Sequence, residues 1–251
     1  MTAYLLFTLA APIASFGTVA VGERRPTWDR PSKSQIIGLV AGCLGLERQE
    51  DARQQALVAS LGFAVRIDDP GQLATDYHTT QVPPARRNRR FATRADELAV
   101  GNTGLKTILS RREYRTGSCY TVCLWLKASG PASLDEIRAT MLSPVFAPFV
   151  GRKAHALMLP MRPGLVDALT IVEAFAAYDA QLPTAITKLW SDVKFHPKGR
   201  ALIFSDTDGA HGRPPERLEE RRDNPESRAK WRFGLRTEVL LAKPAKSGEI
   251  A

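Results

Sequence analysis

The feature that most limits how this chain can fold is a polar, arginine-rich loop that turns directly into an apolar helix, at residues 22–45. Ser32 or Ser34 can cap that helix, because a serine hydroxyl accepts a hydrogen bond from a free N–H group of the first turn. The apolar positions recur at helical spacing and lie on one face: Ile36, Ile37, Val40 and Leu44. Gly38 and Gly42 lower the helix propensity, which indicates that a neighbour packs closely against the backbone there.

The start of this helix has the features of an anion site. Its free N–H groups and its dipole both favour negative charge, and Lys33 in the first turn adds a cation. Arg24 and Arg25 in the preceding loop add two more. A phosphate site and a solvated basic loop before an ordinary core helix both fit these residues, and local physics alone leaves both interpretations open.

The net charge of the chain indicates a polyanionic partner. It is +9 over 251 residues, with an isoelectric point near 9.7. A charge of this size bears on binding partners rather than on the fold, and nucleic acid is the usual partner of such a chain.

Cysteine use and hydropathy both indicate a cytoplasmic protein. Cys119 and Cys123 lie in a strand-like run, where four residues span roughly 13 Å, too far for a disulfide. Few cysteines and no disulfide framework fit a reducing compartment. The apolar run at residues 4–14 is shorter than the roughly 18 residues that a membrane span needs, and no basic segment precedes it. We therefore expect this run to form a strand and expect no membrane association.

The order of the predicted elements favours an α+β fold. Besides the opening helix, helices are predicted at 51–62 and 133–142, and strands at 4–11, 63–68, 76–82, 118–126 and 156–161. In order these give β-α-β, a long excursion and a second β-α-β, which is the split arrangement of a ferredoxin-like (RRM-like) domain. We predict that domain at residues 1–161 and a β-rich C-terminal extension at residues 162–251 packed on it.

The last third of the chain is less regular. Residues 166–178 fit either a helix or a pair of strands. Residues 200–205 and 231–241 fit strands, with a helix as the alternative for 231–241. Residues 211–228 are polar and rich in arginine and glutamate, so we predict an exposed loop there.

A strongly basic segment separates the two halves of the predicted domain. From Arg86 to Arg115 it holds nine basic residues and three acidic ones. The basic residues are Arg86, Arg87, Arg89, Arg90, Arg94, Lys106, Arg111, Arg112 and Arg115. Pro83-Pro84 before it and the run 101–104 within it favour a protruding hairpin or extended loop, a thumb at about 82–115. Charge this lopsided repels itself unless an anion neutralises it, so we predict nucleic-acid contact rather than a merely solubilising surface.

Several of these stretches together resemble one protein family. The matching motifs are R-P-T at 25–27, P-S-K-S-Q-I-I-G-L at 31–39, F-A-V-R-I-D at 63–68, D-Y-H-T at 76–79, R-R-E-Y at 111–114 and P-F-V-G-R-K at 148–153. Their order and spacing resemble the CasD (Cas-five) family, whose members cap the 5′ end of the guide RNA (crRNA) in the type I-E CRISPR Cascade complex. The matches cover nearly all of residues 4–161.

The resemblance implies two groups of contact residues. The 5′ handle of the crRNA would be held by the basic loop, the helix start and a second basic turn, through Arg24, Arg25, Thr27, Ser32, Lys33, Ser34, Gly151, Arg152 and Lys153. Phe16 and Trp28 are candidate stacking faces for bases, and core positions fit them equally well. The thumb would contact the guide and neighbouring subunits through Arg86, Arg87, Arg89, Arg90, Arg111, Arg112 and Tyr114.

The resemblance also implies partners and the absence of catalysis. The partners would be the crRNA, the adjacent backbone subunit (CasC), the large subunit (CasA) and, through the assembled complex, target DNA. Holding an RNA end needs phosphate clamps and stacking surfaces but no catalytic group, cofactor or metal. The histidines and cysteines show no metal-ligand spacing, and no nucleotide-binding P-loop is present.

An enzymatic alternative stays open. The related subunit of type I-C systems cuts precursor crRNA without a metal, which requires a general base, a general acid and a cation near the phosphate. Tyr77 and His78, with Arg112 or Lys153 as the cation, are the residues that fit best. A basic ribosomal or chaperone-like RNA protein would also explain the charge, but not the ordered series of motifs.

Overall fold

The computed structural model describes residues 1–84, 90–99, 104–181, 188 and 202–241. Nine strands within these ranges form one sheet: β1 (Thr2–Ala14), β2 (Arg24–Arg25), β3 (Leu61–Asp69), β4 (Gln72–Val82), β5 (Lys106–Leu126), β6 (Gly164–Ala168), β7 (Leu202–Asp206), β8 (Pro215–Ser227) and β9 (Arg232–Leu241). The helices in the same ranges are α1 (Lys33–Cys43), α2 (Asp51–Ser60), α3 (Arg94–Leu98), α4 (Leu134–Leu142) and α5 (Ile171–Ala180). Of these, none is long and apolar enough to cross a membrane.

The main path of the sheet is antiparallel throughout, in the order β6-β1-β5-β3-β7-β9-β8. β4 pairs with β5 as an antiparallel ribbon, and β2 adds a short parallel pair to the same strand. A large antiparallel sheet with helices packed on it confirms the predicted α+β class. Strands from both sides of residue 161 share this sheet, and the division of the chain at that residue stays a prediction.

Apolar side chains cover both faces of the central strands. In β1, Leu5 and Phe7 point to the face covered by α1, α2 and α4, whereas Tyr4 and Leu6 point to the face covered by α5. A half-buried strand alternates apolar and polar residues, whereas a strand buried on both faces is apolar at every position. Such a strand is therefore a continuous apolar run in the sequence. This is why β1 could be predicted from residues 4–11 alone.

Several local predictions are confirmed. Ser32 is the N-cap of α1, and its hydroxyl accepts a hydrogen bond from the Gln35 N–H at 3.3 Å. A capping box at Ser133 begins α4 as predicted, and the predicted helix at 51–62 is α2. The open assignment at 166–178 resolves as the end of β6 followed by α5.

The prediction of an exposed loop at 211–228 is wrong, because residues 215–227 form the strand β8. Alternate side chains in its second half point inward, namely Arg221, Asp223, Pro225 and Ser227. Two of these inward residues, Arg221 and Asp223, are charged and form buried ion pairs. The alternation that marks a strand was therefore hidden, because its buried side is not apolar.

The strand predicted at 156–161 is also wrong. Ala156 makes one isolated bridge with Phe149, and beyond it Met158 N–H donates to the Ala10 carbonyl at 2.8 Å. Pro160 has no backbone N–H to donate, so a regular series of strand hydrogen bonds cannot continue along this segment. The edge strand beside β1 is instead β6.

Candidate nucleic-acid interface

A groove of about 1920 Å³ runs between α1, the loop at residues 15–20, the turn at 146–153 and the β8–β9 hairpin. Pockets for small ligands usually measure roughly 300–1,000 Å³. A groove of this size fits a polymer better than a small molecule.

The groove is basic and contains several aromatic side chains. Its lining has eight basic side chains and three acidic ones. The basic ones are Arg25, Arg48, Arg152, Lys153, Arg221, Arg222, Arg228 and Arg232. The aromatic ones are Phe16, Trp28, Phe146, Phe149, Trp231 and Phe233. Cations that track a phosphate backbone together with aromatic faces for bases are the usual components of a single-strand binding groove.

Most residues of the predicted handle site line this one groove. They are Phe16, Arg25, Trp28, Ser32, Ser34, Gly151, Arg152 and Lys153. The two stacking candidates differ, however. Phe16 is 1% exposed and packs edge-to-face on Tyr120 with ring centroids 5.1 Å apart, so it belongs to the core and offers no face to a base. Trp28 is 36% exposed and keeps a surface on the groove.

The predicted anion site at the start of α1 is already filled by the protein's own carboxylates. The Lys33 ammonium group is buried and lies 2.6 Å from the Asp206 carboxylate, and the Lys33 backbone N–H donates to Asp223 Oδ2 at 2.9 Å. Burial lowers the pKa of Lys33, against the attraction of Asp206. The N-terminal end of α1 and its lysine therefore hold the C-terminal strands, and Lys33 does not fit the role of a phosphate clamp.

The hydroxyl residues around Lys33 also have internal partners. The Ser32 and Ser34 hydroxyls are buried and lie 3.0 Å apart. The Thr27 hydroxyl accepts a hydrogen bond from the Phe16 N–H at 2.8 Å, and the Thr27 N–H donates to Glu113. These contacts shape the loop and give all three hydroxyls partners within the protein.

Replacing Lys33 with methionine is expected to reduce stability without reducing RNA affinity. Asp206 keeps Arg236 as an ion-pair partner. We therefore expect the free energy of unfolding to fall by about 1–3 kcal/mol, which is less than the loss when a buried charge is left with no partner at all. Denaturant unfolding and RNA binding by the folded fraction measure the two effects. Lys153→Met is the matched control. The same change at this exposed groove lysine should weaken RNA binding and leave the free energy of unfolding nearly unchanged. A K33M protein of normal stability with weakened RNA binding would contradict the structural role.

A glycine fixes the second basic turn against the groove wall. Gly151 has a φ of +93°, and a Cβ there would lie 1.9 Å from the Ser15 carbonyl oxygen. A backbone approach this close is open to glycine alone. It places Arg152 beside Tyr114, whose hydroxyl accepts a hydrogen bond from Arg152 Nη1 at 2.8 Å, and leaves Lys153 exposed.

The base of the predicted thumb is the β4–β5 ribbon, and it presents different residues on its two faces. Directly paired residues share a face. Tyr77, Arg111 and Arg24 therefore form one cross-strand row, and Asp76, Arg112 and Arg25 form the row on the opposite face. Arg25 and Tyr114 place the second face on the groove side.

The rest of the thumb is described only in part. Arg90 is exposed, and α3 lies in the connection between β4 and β5. The predicted contacts Arg86, Arg87 and Arg89 lie outside the described residues.

Comparison with known proteins places this chain in a family. A family model described as CRISPR-associated protein (Cas_Cas5) matches residues 4–238, nearly the whole chain. The chain belongs to the Cas5 family. Among curated proteins, CRISPR system Cascade subunit CasD of Escherichia coli (strain K12) is 32% identical over 187 residues, which are 71% of this chain and 78% of that protein.

Solved structures share the fold of this Cas5 chain. A chain of a “CRISPR RNA-guided surveillance complex” matches with a TM-score of 0.59 and 22% identity, covering 96% of this chain and 89% of the other. A “Crystal structure of Cas protein” matches with a TM-score of 0.54 and 23% identity, covering 95% of each chain.

Sequence reasoning missed the wall that β8 and β9 give to the groove of this Cas5 protein. That wall is anchored by Glu238, which is 0% exposed and pairs with the guanidinium groups of Arg30, Arg221 and Arg236. Arg236 also binds Asp206 at 3.0 Å and Asp223 at 2.9 Å. The only signal of β8 in the sequence is a segment rich in charged residues. Such a segment cannot be distinguished from a solvated loop unless the ion-pair partners of its charged side chains are known.

Proposed function

We propose that this Cas5 chain binds and caps the 5′ handle of the crRNA as a non-catalytic subunit of a type I-E CRISPR Cascade complex. The observation that carries the proposal is the convergence of Arg25, Trp28, Arg152 and Lys153 on one basic groove, although they come from segments more than a hundred residues apart. Convergent cations beside an aromatic face suit a single-stranded RNA segment held by its phosphates and one or more stacked bases.

We further propose that the RNA is held on a ferredoxin-like unit. Its helices would be α1 and α4, and its strands β1, β3, β5 and β6, adjacent in the order β6-β1-β5-β3. The chain order β1-α1-β3-β5-α4-β6, with α2 and the β4 ribbon as insertions, supports this assignment. The strands β7, β9 and β8 then continue the sheet beyond β3 as the proposed C-terminal extension.

The β4–β5 ribbon is proposed to meet the other members of the complex. Its groove-side face, with Arg112 and Tyr114, would continue the path of the guide, and the face with Tyr77, Arg111 and Arg24 would face a neighbouring subunit or target DNA. The adjacent backbone subunit (CasC) and the large subunit (CasA) are the proposed neighbours, and the cytoplasm is the proposed location.

One cluster on the ribbon favours a second candidate function, metal-independent cleavage of precursor crRNA. His78 Nε2 lies 2.7 Å from Asp76 Oδ2 and 3.5 Å from the Tyr114 hydroxyl, which in turn binds Arg152. An imidazole, a phenol and a guanidinium in contact are the group types that cleavage by a 2′-hydroxyl requires. Tyr77, the other residue predicted for this chemistry, points to the opposite face of the ribbon and is not part of the cluster.

A single RNA experiment separates the two functions. The full-length protein is incubated in chelator with a repeat-containing precursor RNA, and separately with a mature guide that carries its 5′ handle. We expect handle-dependent retention and no cutting. His78→Ala is expected to leave retention unchanged, as is Thr80→Ala, a control from the same face of β4. Site-specific cutting that H78A abolishes and T80A preserves would overturn the capping role in favour of the ribonuclease.

A further inference from the structure

The turn between β8 and β9 holds an exposed tryptophan in a strained backbone conformation. Trp231 follows a turn closed by its N–H to the Arg228 carbonyl at 3.4 Å, and its φ is +55°. Glycine is the usual residue at such a left-handed position of a hairpin, and bulky side chains are outliers there. The indole is nevertheless 58% exposed, so burial in the core does not account for it.

Arginines and a second aromatic ring surround this indole. Phe233 meets it edge-to-face with centroids 5.5 Å apart, and the Arg228 and Arg48 guanidinium groups lie 5.0 and 5.2 Å from its ring centroid. Within the described part of the chain, no carboxylate forms an ion pair with Arg48 or Arg228, while Arg232 has only a 3.5 Å contact with Glu226. This end of the groove therefore carries two guanidinium groups without a carboxylate partner, stacked against an exposed indole.

The arginine cluster also explains a feature of α1. The Arg228 guanidinium crosses α1 at Gly38, where a Cβ would lie 3.1 Å from Arg228 Nη2. Gly38 thus makes room for a cation that is half-buried and lacks a carboxylate partner. Burial and the neighbouring Arg48 both lower the pKa of Arg228, which accords with a cation placed to meet an anion from outside.

We propose that Trp231, Arg48 and Arg228 form a nucleotide-binding subsite at the hairpin end of the groove. One base of the bound single-stranded RNA takes the place of the exposed Arg48 guanidinium over the indole, and its phosphate is then held by Arg48 and Arg228. The proposal rests on the proposed RNA-capping function and extends it, since the same groove joins this end to Arg152 and Lys153. It adds a stacking site on the C-terminal hairpin, away from the basic turn and the ribbon.

The test uses a variant that removes the indole ring and also relieves the strain of the left-handed backbone conformation at residue 231. Trp231→Gly suits the left-handed position, so its melting temperature should equal or exceed that of the wild type. Its affinity for a fluorescent 5′-handle RNA should fall about tenfold, on the order of one lost base–aromatic stack. Trp231→Phe should restore most of the affinity. Leu235→Ala removes an exposed apolar side chain of β9 that lies outside the groove lining, and it should change neither the RNA affinity nor the melting temperature.

The outcomes distinguish this subsite from the proposed function. Handle-specific binding by the wild type with equal binding by W231G would overturn the subsite and leave the capping role standing. A tenfold loss for W231G with no preference for the handle over an unrelated RNA of equal length would support the subsite and overturn the capping role. A wild-type protein that binds no RNA would overturn both. Shortening the RNA from each end should identify the stacked nucleotide as the one whose removal makes wild type and W231G equal.

Discussion

Replacing Glu238 with glutamine should lower the free energy of unfolding by about 3–5 kcal/mol, the usual cost of stranding buried charges. The carboxylate is completely buried and receives Arg30 and Arg221 on one oxygen and Arg236 on the other, at 2.9 Å for Arg236. Without its charge, Arg221, Arg236 and Lys33 would share only Asp206 and Asp223, while Arg30 would keep Asp29 and Glu219. Denaturant unfolding of the purified protein measures the loss.

A matched control and a rescue make this prediction specific. Glu97→Gln removes the same charge from an exposed pair with Arg94 and should cost less than about 1 kcal/mol. Arg221 already has Nε and Nη2 without a hydrogen-bond partner, so it is the cation that the network can best lose. Adding Arg221→Met to E238Q should therefore recover part of the lost stability. An E238Q protein as stable as E97Q would show that the network does not anchor β8 and β9.

The same network explains which parts of the fold could be predicted from the sequence. β1 and α4 were predictable because an apolar run and a capping box are local signals. β8 was not, because the inward positions Arg221 and Asp223 become acceptable in a core only through charged partners on other elements, namely Arg236 and Glu238 on β9 and Arg30 in the loop before α1. Local sequence patterns therefore indicate where strands with apolar buried faces lie. They do not reveal a strand such as β8, whose buried side chains are charged and form ion pairs with other elements.

The candidate site divides in a similar way. Two parts of the groove lining were predicted, the basic loop with the start of α1 and the basic turn at 151–153, because loops rich in arginine, glycine and serine are recognisable as anion-binding candidates. The β8–β9 wall was not predicted. The assignment of each residue was less accurate, since Lys33 meets Asp206, 173 residues away, and Phe16 turns into the core. Arg111 and Arg112 looked equivalent in the sequence, and only the register of β5 with β2 and β4 assigns them to opposite faces.

Reversing the charge of Arg25 and Lys153 together should weaken binding of the 5′-handle RNA on the order of 100-fold at about 0.15 M salt, because each is expected to neutralise a phosphate. Both side chains are exposed on the groove, and neither pairs with a carboxylate of the described residues. R25E/K153E should therefore fold normally, unlike E238Q. A titration at several salt concentrations should also give a slope of log affinity against log salt that is smaller by about two.

The control carries the same change in net charge at positions away from the groove. Arg53→Glu/Arg138→Glu places two reversals on exposed positions of α2 and α4, outside the groove lining. If RNA binding followed the overall charge of the protein, the two double variants would lose affinity equally. A loss confined to R25E/K153E, with the reduced salt slope, assigns the phosphate contacts to the groove. Equal affinity of R25E/K153E and wild type would show instead that the RNA lies elsewhere, since two reversed charges cannot be neutral in a groove that holds phosphates.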